Sequence, residues 1–245
     1  MWTWWRRPRG AGASLCGLVV LALVGCADPT GEAPFDPDRC RPGPGTTGSP
    51  TTITEAVALM DALPRPASVE CFVETLDRPL RIEATSSVTS AQPADGERSP
   101  RVFVFYESLV ISLAIDGEGR DLVELSEVTH GHHTVKGELA FPLDDAPVTV
   151  TDAFEKVARV RASDGTTCGF CHLEEVASTR YPGGFTSLAL KPIEGTLISV
   201  ARLREEHATC DAQEEPDRCR YLDALVGHGP LEHQPFPEAY PTIAD

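Results

Sequence analysis

The chain has 245 residues, with 21 Lys and Arg against 37 Asp and Glu, a formal charge of −16 at neutral pH. Negative charge at that density repels phosphate backbones and anionic lipid surfaces, which argues against a nucleic-acid partner. All three Trp lie within the first five residues, so a sugar-stacking surface built on Trp is not available to the rest of the chain.

Arg6, Arg7 and Arg9 form a basic cluster ahead of 15-LCGLVVLALVG-25, an apolar run of eleven residues. A helix of that length rises about 16 Å, roughly half of a bilayer core, so the run reads as an export signal and not as a membrane span. It ends in Leu23-Val24-Gly25-Cys26, which resembles the lipobox of bacterial lipoproteins. That resemblance implies cleavage before Cys26 and acylation of Cys26, which anchors the chain to a membrane. Ala27, and not Asp, follows the Cys, which in this family implies sorting to the outer membrane. With residues 1–25 removed, 18 basic side chains face 37 acidic ones.

Residues 26–52 hold the lipidation site and a Pro/Gly/Thr-rich stretch, ADPTGEAPFDPDRCRPGPGTTGSPTT, with almost no apolar content; they read as a tether. In 52-TITEAVALMDALP-64, the residues Ile53, Val57, Met60 and Leu63 share one helical face, Thr52 or Thr54 can cap it, and Pro64 ends it. The period then becomes strand-like. Strands are predicted over 78–85, 101–106, 108–115, 121–127, 134–141, 156–162 and 184–191, separated by turn-forming clusters such as Asp116-Gly117-Glu118-Gly119. Two helices are predicted over 194–210 and 216–227, with Gly227 as a stop, and then a Pro-rich tail. The expected architecture is therefore mainly β, antiparallel and sandwich-like over 53–192, with a short N-terminal helix and a helical C-terminal appendage over 193–245.

An exported chain meets an oxidising compartment, so its cysteines should pair. With Cys16 in the signal and Cys26 lipidated, six remain: Cys40, Cys71, Cys168, Cys171, Cys210 and Cys219. Short loops close with the least entropy loss, which favours Cys40–Cys71 and Cys210–Cys219.

The remaining pair lies in Cys168-Gly169-Phe170-Cys171-His172. This C-x-x-C-H spacing resembles the haem attachment site of c-type cytochromes. The resemblance implies thioether links from Cys168 and Cys171 to a haem, with His172 as the proximal iron ligand. A local Cys168–Cys171 disulfide and a metal site remain open beside it. The resemblance covers five residues, and no Met follows Met60 to serve as the usual distal ligand. His207 or His228 is the candidate for a sixth ligand. In 129-THGHHT-134, His130, His132 and His133 could bind Zn or Cu, but a polar hairpin turn is the better account of them. Nucleophile-elbow and zinc-protease motifs are absent, so nothing in the sequence points to an enzyme. Two functions are expected: a membrane-anchored envelope lipoprotein carrying one covalent haem for electron transfer to a redox partner or for sensing, or a haem-free, disulfide-stapled binding or scaffold lipoprotein.

Overall fold

The computed structural model describes residues 39–90, 92–159 and 165–244. The segment predicted as an export signal, Cys26 and the first part of the predicted tether lie outside the described residues. No helix among those described is long and apolar enough to cross a membrane.

The architecture is mainly β: one open nine-stranded sheet with helices packed on one face. Its strands are β1 (Leu80–Thr85), β2 (Arg101–Phe105), β3 (Leu109–Ala114), β4 (Leu122–His130), β5 (His133–Ala140), β6 (Val176–Ala177), β7 (Phe185–Leu188), β8 (Leu197–Ile198) and β9 (Leu231–His233). They run in the order β6-β7-β5-β4-β3-β2-β1-β8. Every pairing is antiparallel except that of β9, which lies parallel to the first half of β1 while β8 pairs with its second half. The antiparallel strands are as expected, but the second layer is helical and not a second sheet. Register explains why helices suffice. Ile82, Val104, Ile111 and Leu125 stand side by side across four strands and are all buried. The opposite face carries Glu83, Phe103, Ser112, Glu124 and Glu138 in one row, too polar to pack on a second hydrophobic sheet.

The helical layer is α1 (Ile53–Asp61), α2 (Val69–Thr75), α3 (Val150–Val157), α4 (Val200–Ala208) and α5 (Pro216–Leu222), the last continued by a π turn over Asp223–Gly227. Thr52 caps α1 by accepting from Glu55 N, as expected. The first N–H of α1, on Ile53, donates to Oε2 of the fully buried Glu127 at 2.7 Å. A carboxylate suits that end of a helix, where backbone donors and the macrodipole are both unmet. Tyr181 donates to the same oxygen at 2.6 Å, and Arg180 lies 2.5 Å from Oε1.

Three expectations are corrected here. Of the stretch predicted as a strand over 156–162, Lys156 and Val157 end α3, Ala158 is extended and makes only an isolated antiparallel bridge to Thr166, and 160–162 fall outside the described residues. Thr149 and Asp152 form a capping box, and Val150, Ala153, Phe154 and Val157 follow helical spacing. The 193–245 segment is no appendage, because β8 and β9 extend the sheet and Leu203, Tyr221, Leu222 and Leu225 join the common core. The tether, from residue 39 on, is docked onto the body. Gly48 O accepts from Asp77 N at 2.8 Å and from Tyr106 Oη at 3.2 Å, and a Cβ on Gly48 would collide with Thr75 O at 2.6 Å. Residues without apolar side chains still anchor a chain through backbone carbonyls.

Candidate functional site

The polar face of the sheet forms the floor of a cleft of about 170 Å³. The floor carries Glu124, Lys136 and Glu138; Cys168, Cys171 and His172 form one wall, and Phe236 and Tyr240 of the C-terminal tail close over it. Phe236 is wedged edge-on between Phe103 and Phe105, with ring centroids 4.9 and 4.8 Å away. The tail thereby covers apolar rings that would otherwise break the polar face.

The C-x-x-C-H segment folds as a 3-10 turn, Thr167–Phe170. Cys168 O accepts from both Cys171 N (3.1 Å) and His172 N (2.9 Å), which gathers the three functional residues around one carbonyl. Both thiols are free, Cys168 half-buried and Cys171 exposed. The segment is tied to β7 twice: Leu188 N donates to Leu173 O at 2.9 Å, and His172 Nδ1 donates to Leu188 O at 2.8 Å. A Nδ1–H committed to a carbonyl fixes the tautomer and leaves the lone pair on Nε2. The chain then reverses at Glu174, a non-glycine residue in the left-handed region (φ 61°), whose carboxylate meets His133 Nε2 at 3.0 Å.

Burial sets the protonation states in the cleft. It pushes His172 down to about 3, reinforced by the nearby Lys136 ammonium and only partly opposed by the Leu188 carbonyl. The ring is therefore neutral at physiological pH. Burial lifts the Cys168 thiol to about 11, helped by the Glu124 carboxylate, while Lys136 pulls the other way. Burial also brings Lys136 down to about 8. Lys136 donates to Thr134 Oγ1 (2.7 Å), Ser187 Oγ (3.0 Å) and Leu188 O (3.4 Å). A dithiol oxidoreductase needs an accessible thiol of lowered pKa. Cys168 is the reverse, a half-buried thiol pushed up by burial, which makes it a poor attacking thiol; Cys171 is the exposed one of the pair.

Phe170, Leu173 and Val176 flank the motif with 79, 63 and 57% of their surface exposed. Exposed apolar side chains near two thiols mark a place where a ligand or partner can dock, although the Arg159 guanidinium lies 4.7 Å over the Phe170 ring.

Comparison with protein-family models, with curated proteins and with solved structures finds no match. The site is therefore argued from its own geometry.

The other candidate residues are distributed as follows. Cys40–Cys71 and Cys210–Cys219 are disulfides, as expected, with Cα atoms 5.2 and 5.6 Å apart. His130, His132 and His133 lie in the β4–β5 turn beside the motif. His130 stacks on His133, and His132 meets the Tyr240 ring edge-on. Among the described residues no group of three or more His, Cys, Asp or Glu side chains is placed so that it could hold a metal ion. His207 and His228, expected as candidates to close on an iron at His172, are not brought to it. His207 belongs to α4 and shares the helical layer with Leu203 and Leu225, which pack on the core face next to β1. His172 lies on the other face, beside β7. Five strand spacings separate β7 from β1, roughly 24 Å measured along the sheet. Lys136, Glu124 and the Leu188 carbonyl are the members of the cleft that sequence reasoning did not single out. Alternation along 134–140 assigns Lys136 to a polar face, but only the strand order places that face under His172.

Proposed function

We propose that this protein is an envelope lipoprotein, anchored to the outer membrane through Cys26, that carries one haem on Cys168 and Cys171 with His172 as the proximal iron ligand. The observation that carries the reading is the His172 ring. It is neutral, its Nδ1–H is held by Leu188 O, and its Nε2 has no hydrogen bond among the described residues. Iron-ligating histidines need that second-shell arrangement. The two free thiols in the preceding turn and the exposed Phe170, Leu173 and Val176 fit the same group. Each thiol would add its S–H across a vinyl C=C, forming a C–S and a C–H bond with no leaving group. A bound haem supplies one-electron or gas-ligand chemistry. The chain's part is to hold the imidazole neutral and oriented, and Lys136 places a cation beside it. With His207 and His228 on the far side of the sheet, neither is proposed as the sixth ligand.

The full-length chain, expressed in a bacterium with an active haem-attachment system, should be red, and its haem should stay with the polypeptide in acidified organic solvent. Cys171→Ser should lose one thioether, while His172→Ala should keep the thioethers and alter the iron spectrum. A colourless protein with a Cys168–Cys171 disulfide would overturn this reading and leave the haem-free, disulfide-stapled binding lipoprotein.

A further inference from the structure

Of the 21 basic side chains in the chain only three are lysines: Lys136, Lys156 and Lys191. Lys156 is exposed at the end of α3, and Lys191 is spent on the C-terminal tail, donating to Glu238 O at 2.6 Å. Lys136 stands on β5 inside the sheet, opposite Ser126, which in turn pairs with Val110, and its side chain lines the cleft floor. Its Nζ donates to two hydroxyls and a carbonyl: Thr134 Oγ1 (2.7 Å), Ser187 Oγ (3.0 Å) and Leu188 O (3.4 Å). No carboxylate among the described residues closes an ion pair with it; Glu124 and Glu175 act on it only at longer range. A lysine buried for structure alone is normally paired with a carboxylate. Hydroxyls accept from an ammonium and equally donate to the lone pair of a neutral amine, so this setting suits the amine in either state. Burial favours the uncharged one.

We propose that Lys136 is the capture site for a small aldehyde or ketone with an apolar body, held at the cleft floor as an imine. An arginine at that place could carry the charge but could not lose a proton, so it could not act as the nucleophile. The Lys136 nitrogen adds its lone pair to the carbonyl carbon, and a C–N bond forms as the carbonyl π bond opens. The carbinolamine then loses its oxygen as water. Both amine hydrogens leave with that oxygen, a C=N bond remains, and nothing is oxidised or reduced.

The cleft sets the size and character of the ligand. Its volume of about 170 Å³ is close to that of apolar cavities of about 150 Å³ that take up benzene. Phe103, Val110, Val128, Val157, Phe236 and Tyr240 give it an apolar lining for a ring or a short hydrocarbon chain. Ser126 and Thr134 line the same space, one opposite Lys136 and one hydrogen-bonded to it, and offer hydroxyls to a polar oxygen at the floor. The other cation on the floor, Arg101, is already engaged by Ser90, Ser112 and Glu124, so it does not compete for the carbonyl. Capture at Lys136 needs only the floor of the cleft and does not depend on a haem at Cys168 and Cys171 on its wall.

The test incubates the full chain, both disulfides closed, with benzaldehyde and sodium cyanoborohydride, which reduces the C=N bond as it forms and fixes a benzyl group on the nitrogen. Peptide mapping then reads each of the three lysines separately. Lys136 should be labelled roughly 10-fold faster than Lys156 or more, because a bound carbonyl is held against the amine. Its rate should level off as benzaldehyde rises, since binding precedes capture, and the preference should vanish in urea. Anthracene carbaldehyde, too large for the cleft, should label Lys136 no faster than Lys156. Lys136→Arg should lose the fast label while circular dichroism shows it folded. The Cys168→Ser/Cys171→Ser variant, which cannot hold a covalent haem, should label Lys136 in the same way, so the result is read apart from the haem. Equal labelling of the three lysines, a rate linear in benzaldehyde, fast labelling by the larger aldehyde, or a fast label that persists in Lys136→Arg would overturn the proposal.

Discussion

His172→Asn in haem-free protein isolates the electrostatics on which the cleft depends. The variant keeps a side-chain N–H to donate to Leu188 O but cannot be protonated. In the folded chain the imidazole titrates near 3, chiefly because it is buried and secondly because Lys136 is close. Unfolded, it titrates near 6.5, so between those values the unfolded state binds a proton that the folded state does not. Folding stability therefore falls as pH drops through about 6.5 and is insensitive to this group above it. At about pH 5 the window covers one and a half units at about 1.36 kcal/mol each, which is about 2 kcal/mol. The ring is only partly buried by surface, and solvent screening reduces the figure to about 1–2 kcal/mol. Urea unfolding monitored by circular dichroism at about pH 7.5 and pH 5, disulfides intact, reads this as a midpoint change of roughly 0.5–1 M. Wild type should lose that much more stability on acidification than His172→Asn, and titrations elsewhere cancel in the double difference. Equal losses in the two proteins would mean that His172 is solvated and free to protonate, and the picture of a ligand-ready neutral imidazole would fail.

Two further outcomes are expected. Glu127→Ala strips the acceptor from Ile53 N and Tyr181 Oη and the ion-pair partner from the half-exposed Arg180 at once, and should cost roughly 2–4 kcal/mol in the same unfolding assay, from the two donors left unmet; a loss below about 1 kcal/mol would show that the carboxylate does not hold α1 to the sheet. Cys26→Ala should move the protein from the detergent phase to the aqueous phase on detergent partitioning, and identical partitioning of both proteins, with no acyl mass on the wild-type N-terminus, would refute the anchor.

What was legible in the sequence is what local chemistry dictates. The apolar stripe of α1 with its Thr52 cap, the five long strands β1–β5 and the helices of the C-terminal part all follow from periodicity over short windows. The two disulfides followed from loop length, because closing a short loop restricts the unfolded chain least. Short elements were missed where one residue type carried the signal. Helix α2 rests on the Ser68 cap and on Val69, Phe72 and Val73, only two turns of pattern. The Thr149–Asp152 capping box of α3 was not read as a helix start, and the strand predicted over 156–162 overlaps the end of that helix.

Tertiary structure alone decided which histidine keeps which company. His172, His207 and His228 are equivalent as letters, each a ring beside ordinary neighbours. The strand order puts the first on the polar face beside Lys136 and the Leu188 carbonyl, and puts the other two on the helical face across one aspartate. Sequence spacing governs contacts within a turn or a strand pair, where the backbone geometry is fixed. Contacts between residues 16, 36 or 154 positions apart, such as His172 with Leu188, His172 with Lys136 and Glu74 with His228, depend on how sheet order and helix packing are closed by burial of the whole core. That closure is a property of the complete chain, and no local window contains it.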